Sequence, residues 1–545
     1  MKYRFEIEQA NLHTFSISFS VKASSTQEIF WLADWRPGRY EVAHYAQYIR
    51  NISFRSENGH VLTYTKDTVN SWRVYCEDAQ EIHVNYVYYA GQLDGGGSWV
   101  DDRQVYLNPI NFLLYQKDKV HHPCSLELHL PPSYQIACAL KTIKQEVFAK
   151  SYFEMVDNPL ICSAELMHES YQVGETTFHL WAQGLDEKAN LKALIPDFKN
   201  FTTAQVSMMG AFPAQAYHFL FQFTPYKFYH GVEHRESTVI VLGPAGEFLS
   251  QGFQDNLMGI SSHELFHAWN VTRLRPQTFH PYDFSKPVML SEGFVLEGIT
   301  TYYGDLFLAR SGYFSTEAYL SELTKIIQRE ADNYGNQHQS IVASSHDLWM
   351  DGYKKGIPDK KVSIYTKGAI IALMLDLKLR IESDRSLDDI MRKMWALFGD
   401  HAGYTLTDFI KICESESGLV LTDFFDKYLF GTHAFIGDLH SYLDKVGIEL
   451  QTSPHPDLLT AHFGAKREGE KIIQIAPKSP AAACLSLQDE VISFDSKLGE
   501  IHVKRFGEER VFDLKRSNQT YFDVTNLHLK HQSSENNLLK KWLKK

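Results

Sequence analysis

The sequence predicts a multidomain α+β protein, and three observations predict it. At 545 residues the chain is too long for one hydrophobic core and divides into several domains. Its first third consists of short runs in which apolar and polar residues alternate, as in antiparallel strands, and its third quarter of runs with helical spacing. Between them stands His263-Glu264-Leu265-Phe266-His267, an H-E-x-x-H stretch in helix-like surroundings. A composition of 44% hydrophobic and 22% charged residues places the chain among globular rather than disordered proteins.

Residues 1–165 read as an antiparallel β domain. Thr14 to Phe19 and Ile82 to Tyr89 alternate with period two, and Asp34-Trp35-Arg36-Pro37-Gly38-Arg39-Tyr40 is a Pro-Gly turn between strands. Gly95-Gly96-Gly97 is a flexible loop; no G-K-[ST] follows, so no phosphate site is assigned. Residues 166–330 are mixed, with strands expected at Thr177–Trp181 and Tyr217–Phe223 before the metal-motif helix, for which Ser261-Ser262 is the expected N-cap. Residues 331–435 are helical, with amphipathic runs at Gly368–Arg380, Leu387–Leu397 and Leu421–Phe430; Ala318–Arg329 precedes them. Residues 436–545 return to strands, among them Lys471–Ile475 and Asp489–Phe494, and end in a basic tail, Lys540-Lys541 and Lys544-Lys545, expected to be solvated.

The chemistry concentrates at residue 263. Residues four apart share a helix face, so His263 and His267 can present two imidazoles to one ion with Glu264 beside them. With 25 histidines in the chain a pair four apart arises by chance, but the intervening Glu makes chance a poor explanation. The motif predicts a zinc hydrolase, whose catalytic ion takes three protein ligands and leaves one position open. The third ligand is Glu292 or Glu297. Five residues turn a helix by about 140°, so on one helix the two point to different sides, and spacing does not choose. Asp305 and Asn270 are candidates to orient a ligand from behind.

A formal charge of −12 and a pI near 6.1 argue against a nucleic-acid binder, which needs a concentrated basic surface. Cys76, Cys124, Cys138, Cys162, Cys413 and Cys484 show no C-x-x-C and no paired spacing, which fits a reduced compartment. The opening residues alternate like a strand and lack the apolar core of a secretory signal, and no run reaches the roughly 18 to 20 apolar residues of a membrane span. The expectation is a cytoplasmic protein. Asn270-Val271-Thr272 matches a glycosylation acceptor only formally.

His263 to Asn270 reads H-E-x-x-H-x-W-N, and Glu297 to Tyr303 reads E-G-x-T-x-Y-Y. In this order the two segments resemble the glycyl aminopeptidase family with a C-terminal PDZ domain, distantly related to aminopeptidase N. The W-x-P-G-x-Y turn at Trp35–Tyr40, the G-x-E-H segment at Gly231–His234 and the Y-x-K-G segment at Tyr365–Gly368 are similar to that family too. The resemblance implies a thermolysin-like catalytic domain at 166–330, a helical domain completing the active site, and a PDZ-like domain at 436–545, where Ala461-His462-Phe463-Gly464 is the nearest match to a carboxylate-binding loop. It selects Glu297 over Glu292 as third ligand, across 29 intervening residues after His267. It further implies that Glu233 binds the substrate's free amino group, that Glu264 is the general base and that Tyr365 supports the oxyanion. The implied protein is a one-zinc aminopeptidase acting on peptides with a free N-terminus and small first residues such as glycine or alanine. A peptide C-terminus is a second expected ligand, at the PDZ-like domain. The competing readings are an endopeptidase on the same zinc site and an idle scaffold working through its PDZ-like domain.

Overall fold

The computed structural model describes residues 1–186, 188–351, 357–530 and 536–544. The alternating runs of the first third form the strands they predict. In Thr14–Lys22 the residues Phe15, Ile17, Phe19 and Val21 face inward, and in Glu81–Tyr89 Ile82, Val84, Tyr86 and Tyr88 do. These belong to a seven-stranded sheet in the order Lys141–Ile143, Glu146–Ala149, Cys124–His129, Lys2–Gln9, Thr14–Lys22, Glu81–Tyr89, Ile49–Ser56. It departs from the expected antiparallel pattern at one place, where Lys2–Gln9 runs parallel to Cys124–His129. A four-stranded and a three-stranded sheet complete the N-terminal part.

A five-stranded sheet follows, ordered Met167–Val173, Thr176–Gln183, Ala216–Phe223, Ser237–Gly243, Phe228–Glu233. Its inner strand Ser237–Gly243 is buried throughout, whereas Phe228–Glu233 is an antiparallel edge strand. That edge lies against the helix Gln251–Phe266.

This helix corrects the expected N-cap. Its N-cap lies eleven residues before Ser261, at Ser250, whose side chain accepts from Phe253 N–H at 3.2 Å. Ser261 and Ser262 lie inside it and are fully buried; Ser262 Oγ donates to the carbonyl of Gly304 at 2.7 Å. The small serines serve close helix packing, which local sequence cannot distinguish from capping.

Glu292 lies in a turn just ahead of a wide, π-type helical turn at Phe294–Gly298, which carries Glu297 and continues as the helix Ile299–Ser311. Around it pack Thr316–Ala331, Ile341–Asp351, Thr366–Glu382, Leu387–Phe398 and Leu406–Ser417. No helix among the described residues is long and apolar enough to cross a membrane. The six cysteines are unpaired thiols, five of them buried.

The expected unit 436–545 divides. Helix Ile436–Lys445 buries Leu439 and Leu443 in the main core, and a separate core runs from Leu459 to Leu514 inside a five-stranded antiparallel sheet. Strand Ile448–Ser453 pairs with Val524–Leu529 beside it. Lys540, Lys541 and Lys544 are exposed, as expected of the basic tail, and Lys545 lies outside the described residues; the tail is nonetheless docked, since Asn537–Leu543 is a helix whose Trp542 is fully buried in the main core. The expected carboxylate loop, Ala461–Gly464, falls in a helical turn at Leu459–Phe463, where the N–H groups of Ala461 and Gly464 are taken by the carbonyls of Asp457 and Thr460.

Candidate metal centre

On their shared helix face His263 and His267 bring their Nε2 atoms to 3.1 Å from each other. Glu297 Oε2 approaches both, at 3.7 Å from His263 Nε2 and 3.5 Å from His267 Nε2. This oxygen is buried and has no hydrogen-bond partner. The π-type turn sets its direction, and Gly298 beside it touches the helix Thr366–Glu382: a Cβ on Gly298 would lie 2.6 Å from Gly368 Cα. Glu292 has another occupation, since Oε2 accepts from Ser291 N–H at 2.8 Å and Oε1 from Leu406 N–H at 3.1 Å.

His267 is oriented by backbone. His267 Nδ1 lies 2.7 Å from the carbonyl of Asn270; a carbonyl only accepts, so Nδ1 donates and Nε2 turns to Glu297. The Asn270 side chain donates to the Val295 carbonyl at 2.7 Å and to Thr300 Oγ1 at 3.1 Å, tying one ligand segment to the other. Asp305 sits beyond the crossing, opposite Gly259.

Glu264 projects toward the edge strand, where Gly231 makes room: a Cβ there would stand 2.2 Å from Glu264 Oε1. Two residues on, at the strand's end, is Glu233, whose Oε1 is buried without a partner. Glu233, Glu264 and His267 form a second group with ligand atoms within 4.8 Å of one another, as do His263, His267 and Glu297.

The electrostatics of this cluster suit a bound cation. Burial pushes the Glu264 carboxyl well above its usual range, with Glu233 and Glu297 adding to the rise and His267 opposing it. Burial also raises Glu233, to about 7, again with Glu297 contributing. Burial alone would lower His267, but the three carboxylates together raise it to about 10. Glu297 is buried as well, yet the charge of His267 and the closeness of both imidazoles bring it down to about 2. Three buried carboxylates around two imidazoles are costly unless positive charge is supplied. Two imidazoles, one orphaned carboxylate oxygen and this negative surplus fit a divalent ion of the zinc type.

The N-terminal domain closes the site through the Trp35–Tyr40 turn, which sequence reasoning treated as a turn and a family mark only. Tyr40 Oη donates to Glu297 Oε1 at 3.1 Å. Gly38, at φ +77°, abuts Glu233, so that a Cβ would fall 2.3 Å from Oε2. Arg36 donates from Nη2 to His234 Nε2 at 2.9 Å and from Nη1 to Asn108 Oδ1 at 2.8 Å. His234 therefore donates from Nδ1 to Asp157 Oδ1, 3.2 Å away, and the residue after Glu233 is locked between two parts of the N-terminal domain. Tyr365 is half-buried at the start of Thr366–Glu382, one turn before the Gly298–Gly368 contact.

Two family models match the chain: the Peptidase M61 N-terminal domain over residues 2–164 and the M61 glycyl aminopeptidase over residues 256–371. No curated protein sequence matches. Among solved structures, an aminopeptidase N family protein from Idiomarina loihiensis is similar over 99% of both chains, with 25% identity and a TM-score of 0.90. An M1 zinc metallopeptidase from Deinococcus radiodurans, bound to a Tyr-Ser-Ala substrate, has 14% identity and a TM-score of 0.47 over 77% of this chain and 90% of its own. With both models in register with the β domain and the metal cluster, the chain belongs to the M61 glycyl aminopeptidase family and is a peptidase.

Proposed function

We propose that the protein is a zinc-dependent aminopeptidase acting on peptides with a free amino terminus. One observation carries the reading: Glu233 Oε1 is buried and unpartnered beside Glu264 and His267. The ammonium group of a chain end satisfies such a carboxylate, whereas the interior of a peptide cannot. In this reading His263, His267 and Glu297 hold the ion. When bound, zinc would supply Lewis acidity and bring the pKa of water toward neutrality. Glu264 takes the proton of the attacking water and returns it to the leaving amine. Tyr365 donates its hydroxyl to the carbonyl oxygen as negative charge develops there. Glu233 fixes the register by holding the amine, so that only the first peptide bond reaches Glu264.

The expectation of glycine or alanine as first residue comes with the family; the site geometry bears on the amine. The C-terminal sheet is assigned as a PDZ-like appendage, supported by the Ser479-Pro480 turn, the short helix Ala481–Ala483 and the strand Glu490–Asp495. Its edge strand Ala465–Glu468 is where a peptide C-terminus would add.

The reading is tested by hydrolysis of free and N-acetylated dipeptides, with zinc and with chelator. Cleavage of the free peptides only, lost on chelation, supports it. Equal cleavage of blocked peptides would favour an endopeptidase, and a zinc-free protein would favour the scaffold.

A further inference from the structure

A cavity of about 330 Å³ adjoins the site, a volume at the lower end of ligand pockets. Of the five residues in the metal cluster, Glu233 alone lines it; His263, Glu264, His267 and Glu297 do not. The cavity therefore begins at the amine anchor and extends away from the ion. In a peptide held by Glu233, the first Cα is bonded to the anchored nitrogen, and the side chain branches from that atom.

The wall shows what such a side chain would meet. Phe153, Tyr282 and Phe284 supply aromatic faces, and Ile110 and Val156 aliphatic ones. The charged groups are mostly committed to each other or to neighbours: Arg36 to His234, His234 to Asp157, Arg235 to Asp400 at 2.6 Å. Arg275 lies over the Tyr282 ring, 4.9 Å from its centroid, with Nε buried and unpartnered. It repels a basic side chain, while stacked on the aromatic ring it continues a flat surface.

We infer that this cavity is the pocket for the side chain of the substrate's first residue and that it takes large apolar and aromatic side chains, extending the protein's range beyond glycine and alanine. The inference rests on the aminopeptidase reading. A wall of three rings and two branched aliphatic residues gains from each methylene or ring it covers, whereas glycine leaves it empty.

The test is kcat/KM of the zinc-loaded full chain on X-Ala dipeptides, with X as Gly, Ala, Leu, Phe, Asp and Lys. The inference predicts Phe and Leu ahead of Gly by about tenfold or more. It also predicts that Phe153→Trp, and separately His280→Trp at the rim, reduce the Phe-to-Gly ratio about fivefold or more as the added ring fills the cavity. Gly or Ala fastest, with a ratio that neither variant changes, would overturn it. So would Asp fastest, which would make Arg275 a carboxylate receptor. If no dipeptide is cleaved, the aminopeptidase reading fails by itself. Calorimetry with L-phenylalaninamide and glycinamide then decides the pocket: tighter binding of the former, weakened in both variants, upholds it, and equal or absent binding overturns it.

Discussion

The hydroxyl of Tyr40 donates to Glu297 Oε1 at 3.1 Å across 257 residues of sequence, so the N-terminal β domain holds a ligand of the candidate metal centre directly. With one oxygen bonded to Tyr40, Glu297 keeps the other, which has no hydrogen-bond partner, turned toward His263 and His267. Tyr40→Phe removes the hydroxyl and leaves the ring stacked on Phe279. Zinc affinity should fall roughly 10- to 100-fold, measured by competition with a chelator of known affinity; an unchanged affinity would mean that the bond does not orient the ligand.

Gly38 gives the same turn a second role. At φ +77° and with Glu233 Oε2 where a Cβ would sit, Gly38→Ala strains the backbone by about 1 to 2 kcal/mol and displaces the carboxylate. KM for free dipeptides should rise about tenfold or more while zinc content is kept. Steady-state kinetics with metal analysis separates this from general unfolding.

Lys367 in the Y-x-K-G segment is buried and its Nζ has no hydrogen-bond partner. Burial outweighs attraction to Glu330 and lowers its pKa to about 8 from 10.5. The unfolded chain keeps the proton up to the higher value, so the buried ammonium costs stability below about pH 8, and the cost fades as pH climbs to the unfolded value. Lys367→Met should therefore stabilise the protein at pH 7 by about 2 to 3 kcal/mol, with the advantage shrinking toward pH 10.5. Urea unfolding across that range measures it; a gap independent of pH would show that the amine is not the cause.

The C-terminal helix is fastened to the helix that follows Glu297. Trp542 Nε1 donates to Tyr302 Oη at 2.7 Å, Tyr302 donates to Asp376 Oδ2 at 2.6 Å, and Arg310 Nε donates to the Trp542 carbonyl at 3.1 Å. Trp542→Ala leaves a cavity and removes the donor to the Tyr302 hydroxyl, whose own bond to Asp376 remains, and should cost about 3 to 5 kcal/mol. Denaturant unfolding checks the value, and a loss below about 1 kcal/mol would show that the helix is only loosely docked.

Much of this was legible in the sequence because it obeys local periodicity. The strands at Thr14–Lys22 and Glu81–Tyr89 and the helix Thr366–Glu382 follow from spacing alone. His263 and His267 share a face for the same reason. What was not legible depends on partners distant in the chain. Ser261 and Ser262 look like a cap but are small because Gly304 crosses there. Glu292 and Glu297 are equivalent by composition, and only the backbone N–H groups of Ser291 and Leu406 show that Glu292 is already engaged. The lysines of the tail hid a tryptophan that is fully buried. Gly231 had a signal, a glycine two residues from the candidate Glu233, whose meaning appears only when the facing Glu264 carboxylate is seen, and Gly38 had none beyond its turn.

The central claim is that Glu233 recognises a chain end. Its most direct test is the ratio of kcat/KM for a free dipeptide to that for the N-acetylated one, in the wild type and in Glu233→Gln at equal zinc content. A ratio of about 100 or more in the wild type, falling at least about tenfold in the variant, is the result expected when a buried charge-assisted bond to the ammonium is removed. A ratio that Glu233→Gln leaves unchanged would contradict the claim, whatever the absolute activity.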